Sequence, residues 1–346
     1  MVEGKELIFW LEELNQNDKM KVGRKCANLG EMINAGLPVP PGFALGVDAY
    51  TAFFEQTALG NKITEHLKKC HLHTKLGYNQ YQKISWELRQ MIEEQSMPLE
   101  LESLIRSYYR ELAKKCQVED VPVAVRSSGP VSMPGQFETY LNVQNEDNVV
   151  QQVVRCWAST FTTQALAYRI QREMDIIAPI GVAVLKMVNA KAAGVAFTIH
   201  PTTGDRNKIV VEGCWGLGES VVGGDITPDR FIVDKFDFKV DATINRKTKQ
   251  VIYDREGTCE AGVPLELQER PCLDKEELEK LTRLAIRLED YYGCAQDVEW
   301  VIDQDLPGDN NLLLVQTRPV SKIMEHKKVD AASIADMMVR NVFNRC

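Results

Sequence analysis

The chain has 346 residues, of which 44% are hydrophobic and 26% are charged, and its formal net charge is -8. This length is sufficient for two packed subdomains, and the acidic balance argues against general nucleic-acid binding, which depends on a surplus of Lys and Arg. No apolar run approaches the roughly 20 residues needed to span a bilayer, and the N-terminus shows no signal-peptide pattern, so we expect a cytoplasmic protein without membrane segments.

The first half of the chain is predicted to be mainly helical. An apolar stretch at Leu7 to Leu11 precedes a turn at Gly23, and the helix after that turn ends at Gly36, before a proline-rich extended segment. A β-branched run, Val121 to Val125, predicts a buried strand that delivers Arg126 to a loop of small residues. The predicted helices are Cys26 to Ala35 and residues 48–58, 61–117 and 147–174.

The second half is predicted to be rich in strands, which gives an α+β fold in two parts that meet near residue 180. Residues 274–292 form an amphipathic helix with a leucine stripe. The last two strands are joined by a Pro-Gly-Asp loop and predict a hairpin. The predicted strands are Val182 to Val188, Gly194 to Thr198, Ile209 to Glu212, Phe231 to Asp234, Val251 to Tyr253, Val298 to Ile302 and Leu312 to Thr317.

The first candidate for chemistry is Arg126 with the following loop, Ser127 to Gly135. Backbone N–H groups of such a loop can approach phosphate oxygens, and an arginine can clamp them bidentately. The segment is not a Walker A motif. Taken alone, it is explained slightly better as a surface turn with a salt-bridged arginine.

A second candidate is the glycine-rich stretch that starts at Glu212. Four glycines occur within nine residues, 216–224, and Thr227-Pro228-Asp229 follows. Glycines after a strand indicate a tight bend or a close approach to a ligand. An ordinary connection between strands is the competing interpretation.

The predicted hairpin places acidic residues on one face. Side chains alternate along a strand, so Asp297 and Glu299 share a face, and Gln316 and Arg318 do the same on the partner strand. Paired carboxylates suit Mg²⁺ with phosphate oxygens, although a solvated edge hairpin explains the pattern equally well. Lys25, between a glycine turn and an apolar helix, could reach a cleft, although surface lysines are far commoner.

The nine cysteines are scattered without a CxxC pair, and their odd number predicts reduced thiols. Cys70, His71 and His73 form a short run of metal-ligand types. A structural zinc site usually takes four ligands, and no second ligand pair follows at zinc-finger spacing, so a solvated helix end is the favoured interpretation.

Together and in this order, the motifs resemble the N-terminal nucleotide-binding domain of the pyruvate phosphate dikinase family, which includes phosphoenolpyruvate synthase, rifampin phosphotransferase and the ATP subunit of phenylphosphate synthase. The resemblance extends from about residue 20 to 320. Its stretches are Val22 to Met32, Gly36 to Phe43, Val125 to Val143, Gly194 to Thr198, Pro201 to Gly204, Trp215 to Glu219, Thr227 to Asp229 and Gln316 to Pro319.

The resemblance implies an ATP-grasp-like fold with ATP and Mg²⁺ in a cleft between two subdomains, residues 1–185 and 186–325, followed by a tail helix at 326–346. Lys25, Arg126 and Arg318 are implied as catalytic phosphate contacts, and Glu299 and Gln316 as metal ligands. The further nucleotide contacts that it implies are Met133, Pro134, Gly135, Gln136, Phe137, Glu138 and Thr139 of a lid loop, and Lys186, Met187, Val188, Glu212 and Asp297.

Two departures from the family pattern affect these expectations. Leu185 stands where the family has a glutamine before its Met-Val pair, which puts the preference for ATP over other nucleotides in doubt. The family's phosphorylated histidine lies in a Thr-x-Gly-Gly…Cys-His setting, and none of the five histidines here does.

The resemblance therefore implies an ATP-binding subunit that transfers a diphosphate group to a histidine on a separate partner subunit, which also carries the acceptor site, with release of AMP and orthophosphate. A phenylphosphate synthase-like subunit is the leading expectation. A split phosphoenolpyruvate synthase or pyruvate phosphate dikinase, a rifampin-type phosphotransferase domain and a non-catalytic ATP sensor are the alternatives.

Overall fold

The computed structural model describes residues 6–70, 77–130, 138–218, 226–254 and 257–320, whose strands form two larger sheets and one separate hairpin. The predicted α+β class is confirmed. The predicted tail helix at 326–346 lies outside the described residues, and the predicted domain boundaries remain predictions.

The first sheet has five strands in the order β1-β2-β5-β3-β4. Each neighbouring pair in it is antiparallel. Its strands are β1 Ile8–Trp10, β2 Gly42–Leu45, β3 Val123–Ser128, β4 Thr139–Val143 and β5 Gly181–Lys186.

The helices of the first half pack mainly on this sheet. A large apolar core joins α2 to α7 with one face of β3 and β5. The helices are α1 Lys19–Asn34, α2 Val47–Gln56, α3 Leu59–Lys69, α4 Tyr78–Glu93, α5 Leu99–Cys116, α6 Glu146–Ala158 and α7 Thr163–Gln171.

The second sheet has six strands in the order β13-β12-β6-β7-β8-β9, and a two-stranded sheet, β10 with β11, stands beside it. A second core packs one face of this sheet against both α8 and α1. The elements are β6 Ala190–Phe197, β7 Lys208–Trp215, β8 Asp229–Asp234, β9 Val240–Thr243, β10 Lys249–Tyr253, β11 Thr258–Gly262, α8 Lys275–Tyr292, β12 Gln296–Asp303 and β13 Leu312–Pro319.

Several sequence-based assignments need correction, and among them the predicted helix over 147–174 is the two helices α6 and α7. The predicted helix over 61–117 is three helices, because residue 77 caps α4 and Pro98 stands at the N-terminus of α5, where it has no helical donor to lose. The loop predicted to begin at Ser127 begins later, since Ser127 and Ser128 still pair with β5. The strands β4, β9 and β11 were missed, since each is only four or five residues long, too short for a reliable periodic signal.

Helix α1 connects the two sheets. Its Cys26 N–H donates to Ser128 Oγ of β3 over 3.1 Å, and its Asn28 side chain donates to the Thr317 carbonyl of β13 over 2.9 Å. Gly23 interrupts the helix with φ 80°, and a Cβ there would lie 1.8 Å from the Ser128 carbonyl oxygen. Only glycine fits this contact, which brings the start of α1 against the end of β3.

Among the described helices, none combines the length and the apolarity that a bilayer span requires.

Candidate functional site

A cavity of about 450 Å³ lies between the two sheets, a size typical of small-molecule sites. One wall is formed by β3, β4 and β5, and the other by β6, β12 and β13. The residues that line it are Pro40, Ala124, Arg126, Thr139, Leu141, Leu185, Lys186, Met187, Val188, Ala193, Gly194, Leu217, Gly218, Glu299, Trp300, Val301 and Val315.

One end of the cavity is apolar. Met187, Val188 and Val301 are buried there in a small cluster of their own, against which Leu141 and Val251 pack. The Leu217 N–H donates to the Val251 carbonyl, which fastens the β10–β11 hairpin to this end. Such a surface suits a flat aromatic ring such as a nucleobase.

Several of these apolar residues were missed from the sequence. Alternation along β3 puts Ala124 on the face of Arg126, and alternation along β12 puts Val301 on the face of Glu299, so both could have been found. Leu141 and Leu217 carry no such signal, because β4 was not predicted and Leu217 lies beyond the last residue of β7, Trp215.

The opposite end is polar, and Arg126 is its centre. Its Nη2 donates to Glu299 Oε2 over 3.2 Å and its Nη1 to the Val315 carbonyl over 3.4 Å. Gln316 donates from Nε2 to Glu299 Oε1 over 2.7 Å. The structure thus joins three predicted site residues that lie up to 190 positions apart in the sequence.

Two buried atoms at this end are unsatisfied. Within the described residues, neither Arg126 Nε nor Gln316 Oε1 has a hydrogen-bond partner. A buried unpaired donor and acceptor are costly, at about 1–3 kcal/mol each, unless a ligand completes them. The Arg126 Nε–H can donate to an anionic oxygen of a ligand, and Gln316 Oε1 can bind a cation.

Asp297 and Arg318 form the next pair along the same strands. Arg318 Nε donates to Asp297 Oδ2 over 2.6 Å. Burial raises the pKa of Asp297, the neighbouring Arg318 opposes this rise, and the charge of Glu299 adds to it. Neither Asp297 nor Arg318 contributes to the cavity lining itself.

Lys25 lies in the first turn of α1 after the Gly23 interruption and faces this polar end. Burial and, to a smaller extent, the charge of Arg126 lower its pKa from 10.5 to about 8, although the charge of Glu299 opposes the shift. The next residue, Cys26, is hydrogen-bonded to Ser128, which lies two residues from Arg126 on β3, so this turn of α1 lies next to the Arg126–Glu299 pair. The predicted set of Lys25, Arg126, Glu299, Gln316 and Arg318 therefore gathers at one end of one cleft.

Lys186, Met187 and Val188, which were predicted as nucleotide contacts, all line the cavity. The Lys186 ammonium stands 3.9 Å from Asp303 Oδ2, a carboxylate that is almost completely buried. Leu185, which replaces the family's glutamine, also lines the cavity. An apolar side chain therefore stands where an amide was expected.

Glu212 and Glu138, like Lys25, Asp297, Gln316 and Arg318, are predicted contacts that do not belong to the cavity lining. Glu212 lies in the same row of the second sheet as Glu299, but its carboxylate stands 3.7 Å from Arg230 on the far side of that row. Glu138 is held bidentately by Arg89 of α4, at 2.7 and 2.8 Å. Thr139 does line the cavity, whereas Met133 to Phe137 lie outside the described residues.

The Thr227-Pro228-Asp229 motif has a structural role in the fold. Asp229 and Lys247 are fully buried, and their charged groups meet at 2.6 Å. The same carboxylate accepts the backbone N–H of Asn245 over 3.0 Å and of Cys272 over 2.8 Å. Asp229 thus joins three segments of the second half of the chain.

The residues at the polar end fit a magnesium ion. Mg²⁺ takes oxygen ligands from one or two carboxylates together with phosphate oxygens. Glu299 and the unpaired Gln316 Oε1 are oxygen donors directly beside the cavity. The Arg126–Glu299 contact of 3.2 Å is longer than the 2.7–2.9 Å of a strong charge-assisted bond, so Glu299 can be shared at little cost.

Known proteins match the chain over nearly its whole length. Residues 19–338 match the family model described as pyruvate phosphate dikinase, AMP/ATP-binding domain. A probable phosphoenolpyruvate synthase of Staphylothermus marinus is 42% identical over 348 residues, which cover 91% of this chain and 41% of that protein. A phosphoenolpyruvate synthase of Aeropyrum pernix is 39% identical over 360 residues, which cover 94% and 44% respectively.

The chain therefore spans less than half the length of these two relatives. Among solved structures, a biotin carboxylase–β-γ-ATP complex from Campylobacter jejuni matches with a TM-score of 0.31 and 13% identity, covering 89% of this chain and 43% of that one. The family match, and not this structural similarity, carries the assignment.

Proposed function

Because the chain belongs to the family of pyruvate phosphate dikinase AMP/ATP-binding domains, we propose that its cleft binds Mg-ATP and donates a diphosphate group to a histidine, with release of AMP. The observation that carries this proposal is the polar end of the cavity, where Arg126, Glu299 and Gln316 are joined by hydrogen bonds and Lys25 lies beside them. The reaction is of the phosphoenolpyruvate synthase type.

The cavity is apolar at one end and polar at the other, as a nucleotide requires. Its apolar end, with Met187 and Val188, takes the base, and its polar end takes the triphosphate. Lys25 and Arg126 supply positive charge, and Arg318 lies further along the same hairpin face. Magnesium, held by Glu299 and Gln316, supplies further neutralisation of the phosphates.

The proposed chemistry consists of two balanced steps. A histidine nitrogen attacks the β-phosphorus of ATP, the bond from that phosphorus to the bridging oxygen of the α-phosphate breaks, and AMP leaves with the electron pair. Water then attacks the terminal phosphorus of the diphosphohistidine, which releases orthophosphate and leaves phosphohistidine. Lys25 and Arg126 stabilise the charge on the phosphates, since phosphoryl transfer depends mostly on positioning and neutralisation.

The lid role predicted for residues 133–139 is part of this proposal. Glu138, anchored to Arg89, fixes the end of that segment next to Thr139 on the cavity wall. Closure of residues 133–137 over the phosphates would exclude water from the first step.

The names of the relatives favour the phosphoenolpyruvate synthase alternative over a phenylphosphate synthase. Both relatives described above carry the first name, and each is more than twice as long as the part that this chain matches. We propose that the phosphorylated histidine and the acceptor site lie outside these 346 residues, on a partner subunit as the resemblance implied. A sensor that binds ATP without transfer is the alternative of another class.

Two measurements test the proposal. Calorimetric titration with Mg-ATP should show one binding site, and Arg126→Ala should abolish AMP release in the presence of a histidine-domain partner while the fold is retained. The control is Arg230→Ala, which removes an arginine from the same region outside the cavity. Full AMP release by Arg126→Ala would show that Arg126 does not belong to the site.

The metal assignment needs a separate variant. Glu299→Ala should weaken Mg-dependent ATP binding, whereas Glu279→Ala on the outer face of α8 should not. Unchanged magnesium dependence in Glu299→Ala would refute the assignment. Tight ATP binding by the wild type without AMP formation, with all candidate partners tested, would favour the sensor.

A further inference from the structure

A second group of ligand-type side chains lies on the helical layer, away from the cleft. His66 and Cys70 belong to α3 and its C-terminal end, and Glu87 belongs to α4. Their candidate ligand atoms, one from each residue, all lie within 4.8 Å of one another. None of the three lines the cavity between the sheets.

The backbone holds this group in place. His66 and Cys70 are four residues apart and therefore share one face of α3. The two helices are anchored in the first core by Ile63 and Leu67 of α3 and by Leu88 of α4. The side chains thus meet at the junction of two fixed helices, and all three are partly buried.

The distances agree with those of a metal centre. Zinc bonds of about 2.0–2.3 Å at tetrahedral angles place neighbouring ligand atoms about 3.5 Å apart. His66 Nε2 and Glu87 Oε2 are 3.0 Å apart, and the thiol lies inside the 4.8 Å limit of the group. Shifts of less than about 1 Å would therefore bring three ligands to one ion.

We propose that His66, Cys70 and Glu87 bind a divalent transition-metal ion of the zinc class. An imidazole, a thiolate and a carboxylate are the ligand types that zinc takes in proteins, and the thiolate disfavours the harder Mg²⁺ and Ca²⁺. Two anionic ligands balance the charge of the ion. Three protein ligands leave a further position for water or another donor.

An ion pair without a metal is the competing explanation, and the two differ in whether the Cys70 thiol takes part. His66 and Glu87 would satisfy each other, with Lys83 at 3.8 Å as a further partner of Glu87. That arrangement leaves the Cys70 thiol with its apolar packing against the first core and with no hydrogen bond to any residue in the described ranges. Lys83 is 76% exposed and can turn to solvent when an ion neutralises Glu87.

The role of such a site would be structural, because it joins the end of α3 to α4. Binding to the folded state alone stabilises a protein in proportion to the logarithm of the free metal concentration. We therefore expect zinc to raise the melting temperature of the wild-type chain and to leave Mg-ATP affinity unchanged, which separates this proposal from the one for the cleft.

Cobalt supplies the direct test, since Co²⁺ bound to a thiolate gives a sulfur-to-metal charge-transfer band. The chelator-treated full chain, titrated with CoCl₂, should show this band at one ion per chain. Cys70→Ser should lose the band, and His66→Gln and Glu87→Gln should weaken Co²⁺ affinity by about 10-fold or more. Cys294→Ser, which removes an exposed thiol elsewhere, should retain it.

The absence of the band in the wild type, or its persistence in Cys70→Ser, would overturn the proposal. A second measurement needs no variant and so does not depend on the folding of one. In the wild-type chain, ZnCl₂ should slow the alkylation of Cys70 by iodoacetamide and leave the alkylation rate of Cys294 unchanged. Peptide mass spectrometry measures both rates. Equal protection of both thiols, or of neither, would contradict a site at Cys70.

Discussion

Lys25 should make nucleotide affinity decrease above about pH 8. In the free protein, burial and the charge of Arg126 lower its pKa to about 8, so the ammonium group loses its proton at that pH. A triphosphate beside it favours the charged form and raises the pKa again. Binding therefore takes up a proton at pH values between the two pKa values, and affinity decreases as the pH rises through that range.

The size of the effect follows from the same values. If the phosphates restore the ordinary pKa of 10.5, the affinity at pH 9.5 is about 30-fold lower than at pH 7. The assay is calorimetric titration with Mg-ATP at several pH values, in two buffers with different ionisation enthalpies, which also measures the proton uptake directly.

Lys25→Arg is the matched control, because a guanidinium stays charged over this whole range. Its affinity should not change between pH 7 and 9.5, whatever its absolute value. A wild-type affinity that is equally constant would refute the placement of Lys25 beside the phosphates. An absence of any Mg-ATP binding would instead refute the proposed function of the cleft.

Three further predictions concern stability. Lys25→Met should raise the free energy of unfolding by about 2–3 kcal/mol at pH 7, because it removes a buried charge. Denaturant titrations should show this gain shrinking towards pH 10. The reason is that, between the folded-state pKa of about 8 and the unfolded-state pKa of 10.5, the unfolded wild type binds more protons than the folded one, so the wild type becomes more stable as the pH rises. Gly23→Ala should destabilise the chain by about 2 kcal/mol or more, since φ is 80° and a Cβ would meet a carbonyl at 1.8 Å, whereas Gly60→Ala has open space and should not lower the thermal midpoint. Lys247→Met should cost about 3–5 kcal/mol by leaving Asp229 charged and buried without its partner, and a cost below about 1 kcal/mol in denaturant titrations would show that the pair does not stabilise the fold.

The face that each polar side chain occupies could be predicted from local sequence. Alternation along β12 and β13 predicted that Asp297 and Glu299 share a face, as do Gln316 and Arg318. In the structure, Asp297 lies opposite Arg318 and Glu299 lies opposite Gln316. The turn at Gly23 was also predictable, because glycine is the residue that most readily adopts a positive φ, and its φ is 80°. These features depend on the backbone period and on single residues, which are local properties.

The positions of Glu212 and Glu138 could not be predicted in the same way. Glu212 lies on the same face of the second sheet as Glu299, as expected for a cleft residue. However, it is two strands away from Glu299, beside Arg230 and outside the cavity wall. Glu138 lies in the predicted lid segment, but Arg89 of α4 holds its carboxylate. In both cases the deciding partner belongs to an element whose position the local sequence does not specify.

The sequence by itself determined the α+β class, the chemical types of the site residues and the motif order on which the family assignment depends. Only the tertiary structure decided which of those residues meet. Lys25, Arg126 and Glu299 come together because α1 is hydrogen-bonded to both sheets, at Ser128 and at Thr317. His66, Cys70 and Glu87 meet because two helices pack through a shared core. Such contacts depend on the register and packing of distant segments, and local periodicity contains no information about either.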